Sequence, residues 1–350
     1  MAVYIDENLN DPAKFFNIVT WTGDIVDGDG TGHDQAITGV GFQPDLIWHK
    51  CRSHANQNIF ADSVRGTGGS PTQMLGLSSQ DPGAETSANT NGWLESIDSD
   101  GYTVTSGNDS SSKSNNAGAD GRTYVAWCWK ESATAGFDIV AYTGNATNRT
   151  ISHSLSAIPD FMAVKCRSAA ARGWTVWHET LAGTHAVDFN LTDAQYESTG
   201  TWNSTTPTSS VFSVGTRLAT NDDTETFIAY LFTSKQGFSK FGSYTGNGNA
   251  DGSFVYTGFR PAFILSKNSD ASTNWQMLDS KRDTFNPVDN TLYPDGSYAE
   301  ANGGDIDFLS NGFKVRNSTT DWNTSGETII YMAFAEAPLV NSNGVPCNAR

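Results

Sequence analysis

Apolar runs bounded by glycine and proline recur three times along the chain. Gly41-Phe42-Gln43-Pro44 leads into Asp45-Leu46-Ile47-Trp48-His49-Lys50-Cys51-Arg52-Ser53, and Ala157-Ile158-Pro159 leads into Asp160-Phe161-Met162-Ala163-Val164-Lys165-Cys166-Arg167-Ser168. A more divergent copy, Gly258-Phe259-Arg260-Pro261, leads into Ala262-Phe263-Ile264-Leu265-Ser266-Lys267-Asn268-Ser269. Each copy carries a lysine six residues after its proline. A short apolar run between turn signals reads as a strand buried on both faces, and a proline at its entrance removes no ladder hydrogen bond.

Other elements repeat in the same order. The copies open at Phe16, Phe137 and Phe238 and leave their first strands through Gly23-Asp24, Gly144-Asn145 and Gly246-Asn247. A second strand ends in an acid: Ile59-Phe60-Ala61-Asp62, Trp174 to Glu179, and Trp275 to Asp279. A polar segment follows, and then a strand that Asp100-Gly101 and Asn311-Gly312 introduce as hairpin turns in two copies. The last strand sets alanine between bulky residues, at Ala126, Ala229 and Ala333, spaced by 229 − 126 = 103 and 333 − 229 = 104 residues. Such periods exceed the roughly 20–50 residues of a solenoid unit and suit domains with cores of their own.

The expected fold is therefore all-β: three tandem antiparallel β-sandwich domains with little helix. The boundaries read as an N-terminal arm at 1–14, repeats at 15–131, 136–234 and 237–338, and a tail at 339–350. The joints are short, so the repeats should be close-set. The 34 glycines and 10 + 11 + 19 = 40 aromatics suit many turns around large core side chains.

A net charge of −17 repels phosphate backbones and anionic lipid, so neither nucleic acid nor membrane is an expected partner. No apolar run reaches the length of about 18 residues read as a membrane span, and Met1 to Asp11 lacks a signal-peptide pattern. Cys51 and Cys166 fall at equivalent places but have no metal-ligand spacing, and read as small strand filler.

The run 41–53, Asp62-Ser63-Val64-Arg65-Gly66, Ser99-Asp100-Gly101-Tyr102 and Tyr124-Val125-Ala126-Trp127-Cys128-Trp129-Lys130 resemble a repeated domain of virion structural proteins of tailed bacteriophages. Many of those phages are marine or cyanobacterial, and the proteins are often described as tail fibre or lectin-like. The ending from Phe334 to Arg350 is similar to the C-termini of such proteins. The resemblance implies a virion location, after assembly in the host cytoplasm, and a jelly-roll-like form for each sandwich, and it supplies no catalytic residues. The function it implies is non-enzymatic: tail-fibre or receptor-binding adhesion to host surface glycans, beside other virion proteins and in a homo-oligomer. Capsid decoration and polysaccharide degradation are the alternatives.

Lys50, Arg52 and Asp62, with Lys165, Arg167 and Glu179, and Lys267 with Asp279, recur in all copies and so read as ion pairs of the scaffold. Specific binding should lie where the copies differ, in loops. Trp202, Trp322, Tyr196, Tyr293 and Tyr298 are the candidates, since an aromatic ring in a polar loop can stack on a sugar. The oxygen-rich runs Asp24–Gly30 and Asn247–Gly252 lack a closing acid for a calcium loop. No cofactor, metal set or catalytic motif is expected.

Overall fold

The structure, a computed structural model, describes residues 9, 11–25, 34–66, 76–86, 92–105 and 118–336, with the backbone of 339–340 and 346–347. It is nearly all β. The first repeat contains β1 (Phe16–Thr22), β2 (Asp34–Thr38), β3 (Leu46–Cys51), β4 (Asn58–Asp62), β5 (Leu77–Ser78), β6 (Trp93–Asp98), β7 (Gly101–Thr105) and β8 (Thr123–Trp129). They form one sheet in the order β1-β8-β3-β4-β5 and a second in the order β2-β7-β6.

The second repeat has β9 (Phe137–Thr143), β10 (Arg149–Ser152), β11 (Phe161–Cys166), β12 (Thr175–His178), β13 (His185–Asp188), β14 (Tyr196–Glu197), β15 (Val211–Val214) and β16 (Thr226–Phe232). Two one-turn helices, α1 (Thr199–Trp202) and α2 (Leu218–Asn221), lie among them. Its sheets are β14-β13-β12-β11-β16-β9 and β10-β15.

The third repeat has β17 (Ser239–Thr245), β18 (Phe254–Tyr256), β19 (Pro261–Asn268), β20 (Gln276–Asp279), β21 (Val288–Thr291), β22 (Ala301–Leu309), β23 (Gly312–Val315), α3 (Thr320–Asn323) and β24 (Thr328–Ala335). Its sheets are β17-β24-β19-β20 and β18-β23-β22-β21. A small ladder, β25 (Leu339–Val340) with β26 (Pro346–Cys347), follows.

First strand beside last and last beside third, with second beside seventh, is jelly-roll pairing. The arrangement is jelly-roll-like with one departure, at β4. Instead of crossing to the other sheet, β4 returns as a hairpin on β3, with Leu46 opposite Asp62, and β12 and β20 do the same.

The alternation of side chains explains why these strands are apolar throughout. On β8, Ala126 and Cys128 face the repeat's own second sheet, whereas Val125, Trp127 and Trp129 face away from it. On β16 the same division puts Ala229 and Leu231 inward and Ile228, Tyr230 and Phe232 away; on β24 it separates Ala333 from Met332 and Phe334. The outward sets from all three repeats meet in one further core. There Phe16 stacks on Phe334 at 4.8 Å, Trp129 meets Phe232 at 6.1 Å, and Phe232 meets Phe334 at 6.0 Å. A cavity of about 20 Å³ lies within it, walled by Trp48, Tyr230 and Met332 among others, so the packing is close to complete. The repeats are thus joined face to face rather than strung in a row.

Part of the expected arm belongs to this core. Leu9 is buried in it, and Pro12 is buried in a 3-10 turn, Pro12–Lys14, ahead of β1.

Candidate functional site

The recurring lysines do not pair with acids on neighbouring strands. Lys50, Lys165 and Lys267 are fully buried, and their ammonium groups donate to main-chain carbonyls of the adjoining repeat. Lys50 donates to Asn56 O and to Ser297 O of the third repeat; Lys165 to Gly83 O of the first at 2.7 Å; Lys267 to Thr192 O of the second at 3.2 Å. One, three and two are linked in a closed cycle. Burial pushes each amine down to about 8, and the carbonyls favour the charged form that donates to them.

A second set of contacts closes the cycle in the opposite sense. Strand register makes Asp62, His178 and Asp279 equivalent, so the sequence alignment of Asp62 with Glu179 is off by one residue. Asp62 accepts from Arg65 and from Tyr230 Oη of the second repeat at 2.6 Å. Asp279 accepts from Arg282 Nε at 2.6 Å and from Trp127 Nε1 of the first repeat at 3.1 Å. Burial alone would lower the Arg65 and Arg282 guanidiniums, but the aspartates beside them more than offset it. Forked Arg–Glu pairs flank these sites, Arg167 on Glu85 and Arg52 on Glu300, each with two bonds of 2.9 Å.

The seam between the second and third repeats is a neutral version. His178 stands for the aspartate, Leu181 for the arginine and Met332 for the aromatic donor, with Gln195 and Ser269 in place of the forked pair. The His178 ring donates through Nε2 to Tyr331 O at 3.3 Å, while Nδ1 accepts the Thr180 N–H at 3.2 Å. A nitrogen that accepts cannot also hold a proton, and burial pushes this imidazole down to about 4. The unfolded chain takes up that proton first, so stability from this group is full above pH 6.5 and is lost as pH falls toward 4. The loss is roughly 3 kcal/mol. His178→Gln should remove that part of the acid slope in chemical denaturation; an unchanged slope would contradict the neutral ring.

The predicted binding rings fare differently. Trp202 and Trp322 are 1% and 0% exposed, so neither offers a face to a sugar. The helices α1 and α3 fold them into the sandwich cores, where the Trp322 indole donates to Gln276 Oε1 at 2.6 Å. A one-turn helix inside a polar loop leaves no periodic signal to read. Tyr196 is half-buried, with its hydroxyl on Asp188 Oδ1 at 2.7 Å and its ring beneath the Arg217 guanidinium. Tyr293 is half-buried and meets the edge of Tyr298, which is 60% exposed.

Sequence reasoning missed three exposed rings. Phe254 (47%) and Tyr256 (60%) lie on the solvent side of the edge strand β18, and Phe285 (83%) follows β20. With Tyr298 they are the exposed large aromatics among the described residues, and all four belong to the third repeat. Their signal was a period-two pattern, Phe254-Val255-Tyr256, with Val255 buried between them.

Of the oxygen-rich turns, 26–30 lies outside the described residues. In the other, Asn247 Oδ1 accepts the Asn249 N–H and Asn249 Oδ1 the Asp251 N–H, while Asp251 pairs with Lys314 at 2.8 Å. The buried Asn323 amide donates to Asn247 Oδ1, Asn249 O and Asn317 O, and Asn221 is its counterpart in the second repeat. The described residues hold no cluster of three or more potential metal ligands. Cys51, Cys128 and Cys166 are buried thiols.

A family model described as a domain of unknown function, DUF7483, matches residues 11–338. The chain belongs to that family. No curated protein and no solved structure matches it. The DUF7483 match runs through all three repeats, as the shared core and the two cycles of contacts do.

Proposed function

We propose that this DUF7483 protein is a non-enzymatic binding protein of a bacteriophage virion, a tail-fibre type adhesin that meets host surface glycans through its third repeat. The observation that carries the reading is that, among the described residues, the exposed aromatic rings are confined to the repeat whose sequence departs furthest from the other two. Interior polar groups are spent on holding the repeats together, so recognition falls to the periphery. Phe254 and Tyr256 form a flat apolar step on one strand, beside Lys314 opposite Phe254, which suits a sugar face with a polar rim.

The test is attachment of the full chain to host cells and to their purified surface polysaccharide. Phe254→Ala/Tyr256→Ala/Tyr298→Ala should fold normally, since surface changes of this kind shift stability little. It should bind at least tenfold more weakly, about 1.4 kcal/mol. Unchanged attachment would reject the site. New reducing ends released from the polysaccharide by the unaltered chain would favour the enzymatic alternative.

A further inference from the structure

In two of the three repeats, the outer edge of the first strand is closed by the joint that precedes it. Ser132 exchanges both main-chain hydrogen bonds with Phe137, each 3.0 Å, and Glu131 Oε1 accepts the Ile139 N–H. In the third repeat Lys235 exchanges bonds with Ser239, and Ser234 Oγ accepts the Phe241 N–H. An aspartate fixes the start of each joint: Asp45 Oδ2 accepts the Glu131 N–H and Asp160 Oδ2 the Ser234 N–H.

At the seam between the first and third repeats, no such joint is found among the described residues. Phe16 and Ile18 occupy the places of Phe137 and Ile139. Among the described residues no main-chain segment pairs with their outer edge, and the Ile18 N–H is held by the neighbouring Asn17 side chain at 2.8 Å. Ala262 stands where the aspartates do, and Glu336, the counterpart of Glu131, pairs with Arg260 at 2.6 Å. What remains is a cleft of about 340 Å³ whose floor includes Phe16, Ile18, Ala262 and Ala335, with Lys281 and Thr284 on its rim. Phe285 follows Thr284 on a loop pinned by Asn286, whose side chain bonds both Phe308 N and Phe308 O.

We propose that this seam is a strand-acceptor groove for an extended segment of another polypeptide, one carrying Glu or Asp immediately before the residue that pairs with Phe16. The molecule sets the precedent for this strand pairing twice, in Glu131-Ser132 and Ser234-Lys235, and for the acid once, in Glu131. Strand addition supplies main-chain bonds, and alternate side chains supply selectivity. Lys281 favours the acid, and the exposed Phe285 ring gives a larger partner an anchor. At the end of β24 the Glu336 side chain is engaged by Arg260, and Ala262 supplies no carboxylate like those of Asp45 and Asp160.

The test uses the full chain and a capped peptide copying residues 130–135, Lys-Glu-Ser-Ala-Thr-Ala, both in solution and fused through a flexible Gly/Ser linker after Arg350. The fusion raises the effective concentration to about millimolar. Amide hydrogen exchange at Phe16 and Ile18 should slow saturably, at least tenfold in the fusion, and less with Gln for Glu in the peptide or with Lys281→Ala. No slowing in either form would overturn the proposal. So would slowing that requires removal of residues 337–350, which would make the groove the tail's own seat. Protection without peptide that grows with protein concentration would assign the groove to a second copy of the chain and overturn it equally. The readout is independent of glycan attachment, so the two proposals fail separately.

Discussion

Asp62→Ala is expected to lower the unfolding free energy by about 3–5 kcal/mol, the cost of leaving a buried charge without its partner. The carboxylate accepts from the Arg65 side chain, from Arg65 N at 2.7 Å and from Tyr230 Oη. Without it, the Arg65 guanidinium keeps Phe60 O at 2.9 Å and the more distant Glu85 at 3.7 Å, in a place no water reaches. Denaturant unfolding checks the figure; a loss below 1 kcal/mol would mean that the network contributes little. The neutral seam supplies the control. Asp62→His/Arg65→Leu/Tyr230→Met copies the His178, Leu181 and Met332 set and should recover at least half of the loss. Removing a buried charge together with its counterion is far cheaper than removing one of them.

The same comparison shows what three equivalent seams allow. The two charged seams use five matched positions, and the third changes all five at once. A lone arginine at position 181, or a lone aspartate at 178, would be buried without a partner. The set is therefore replaced together or kept together, which makes the seams alternative solutions to one packing problem.

Much of the strand order was readable from the chain. The proline-led runs became β3, β11 and β19, buried along their whole length, and Ala126, Ala229 and Ala333 lie on central strands facing their own second sheets. Apolarity on both faces was visible, but not what covers the second face. A sheet sandwiched in its own domain and a sheet pressed on two sister repeats have the same hydrophobic pattern. That ambiguity also hid the lysines. A lysine within an apolar run suggests an ion pair across strands, and only the neighbour's carbonyls, more than 80 residues away for Lys165, show its actual partner. Two of the candidate binding rings were misplaced for a related reason. Trp202 and Trp322 sit in polar sequence, yet one helical turn is enough to swing an indole into a core. Phe285 carried no mark beyond being apolar where burial was equally plausible.

The second large effect follows from the shared core. Excised as residues 136–234, the second repeat would expose Phe161, Trp174, Phe189, Tyr230 and Phe232, among others of the face that meets its neighbours. Each such side chain contributes about 1.5–3 kcal/mol when fully buried. Losing five of them approaches or exceeds the roughly 5–15 kcal/mol by which whole domains are stable. The excised repeat also keeps only a two-stranded second sheet, β10-β15, to cover its other face.

Amide hydrogen exchange on that excised repeat, set beside the full chain, tests most directly whether the three repeats stand only together. The account predicts that amides of β11 and β16, slowest in the full chain, lose nearly all protection in the fragment. Native-like protection there, with a cooperative melt of its own, would show that each repeat is self-sufficient and that the common core is only a place where finished domains touch.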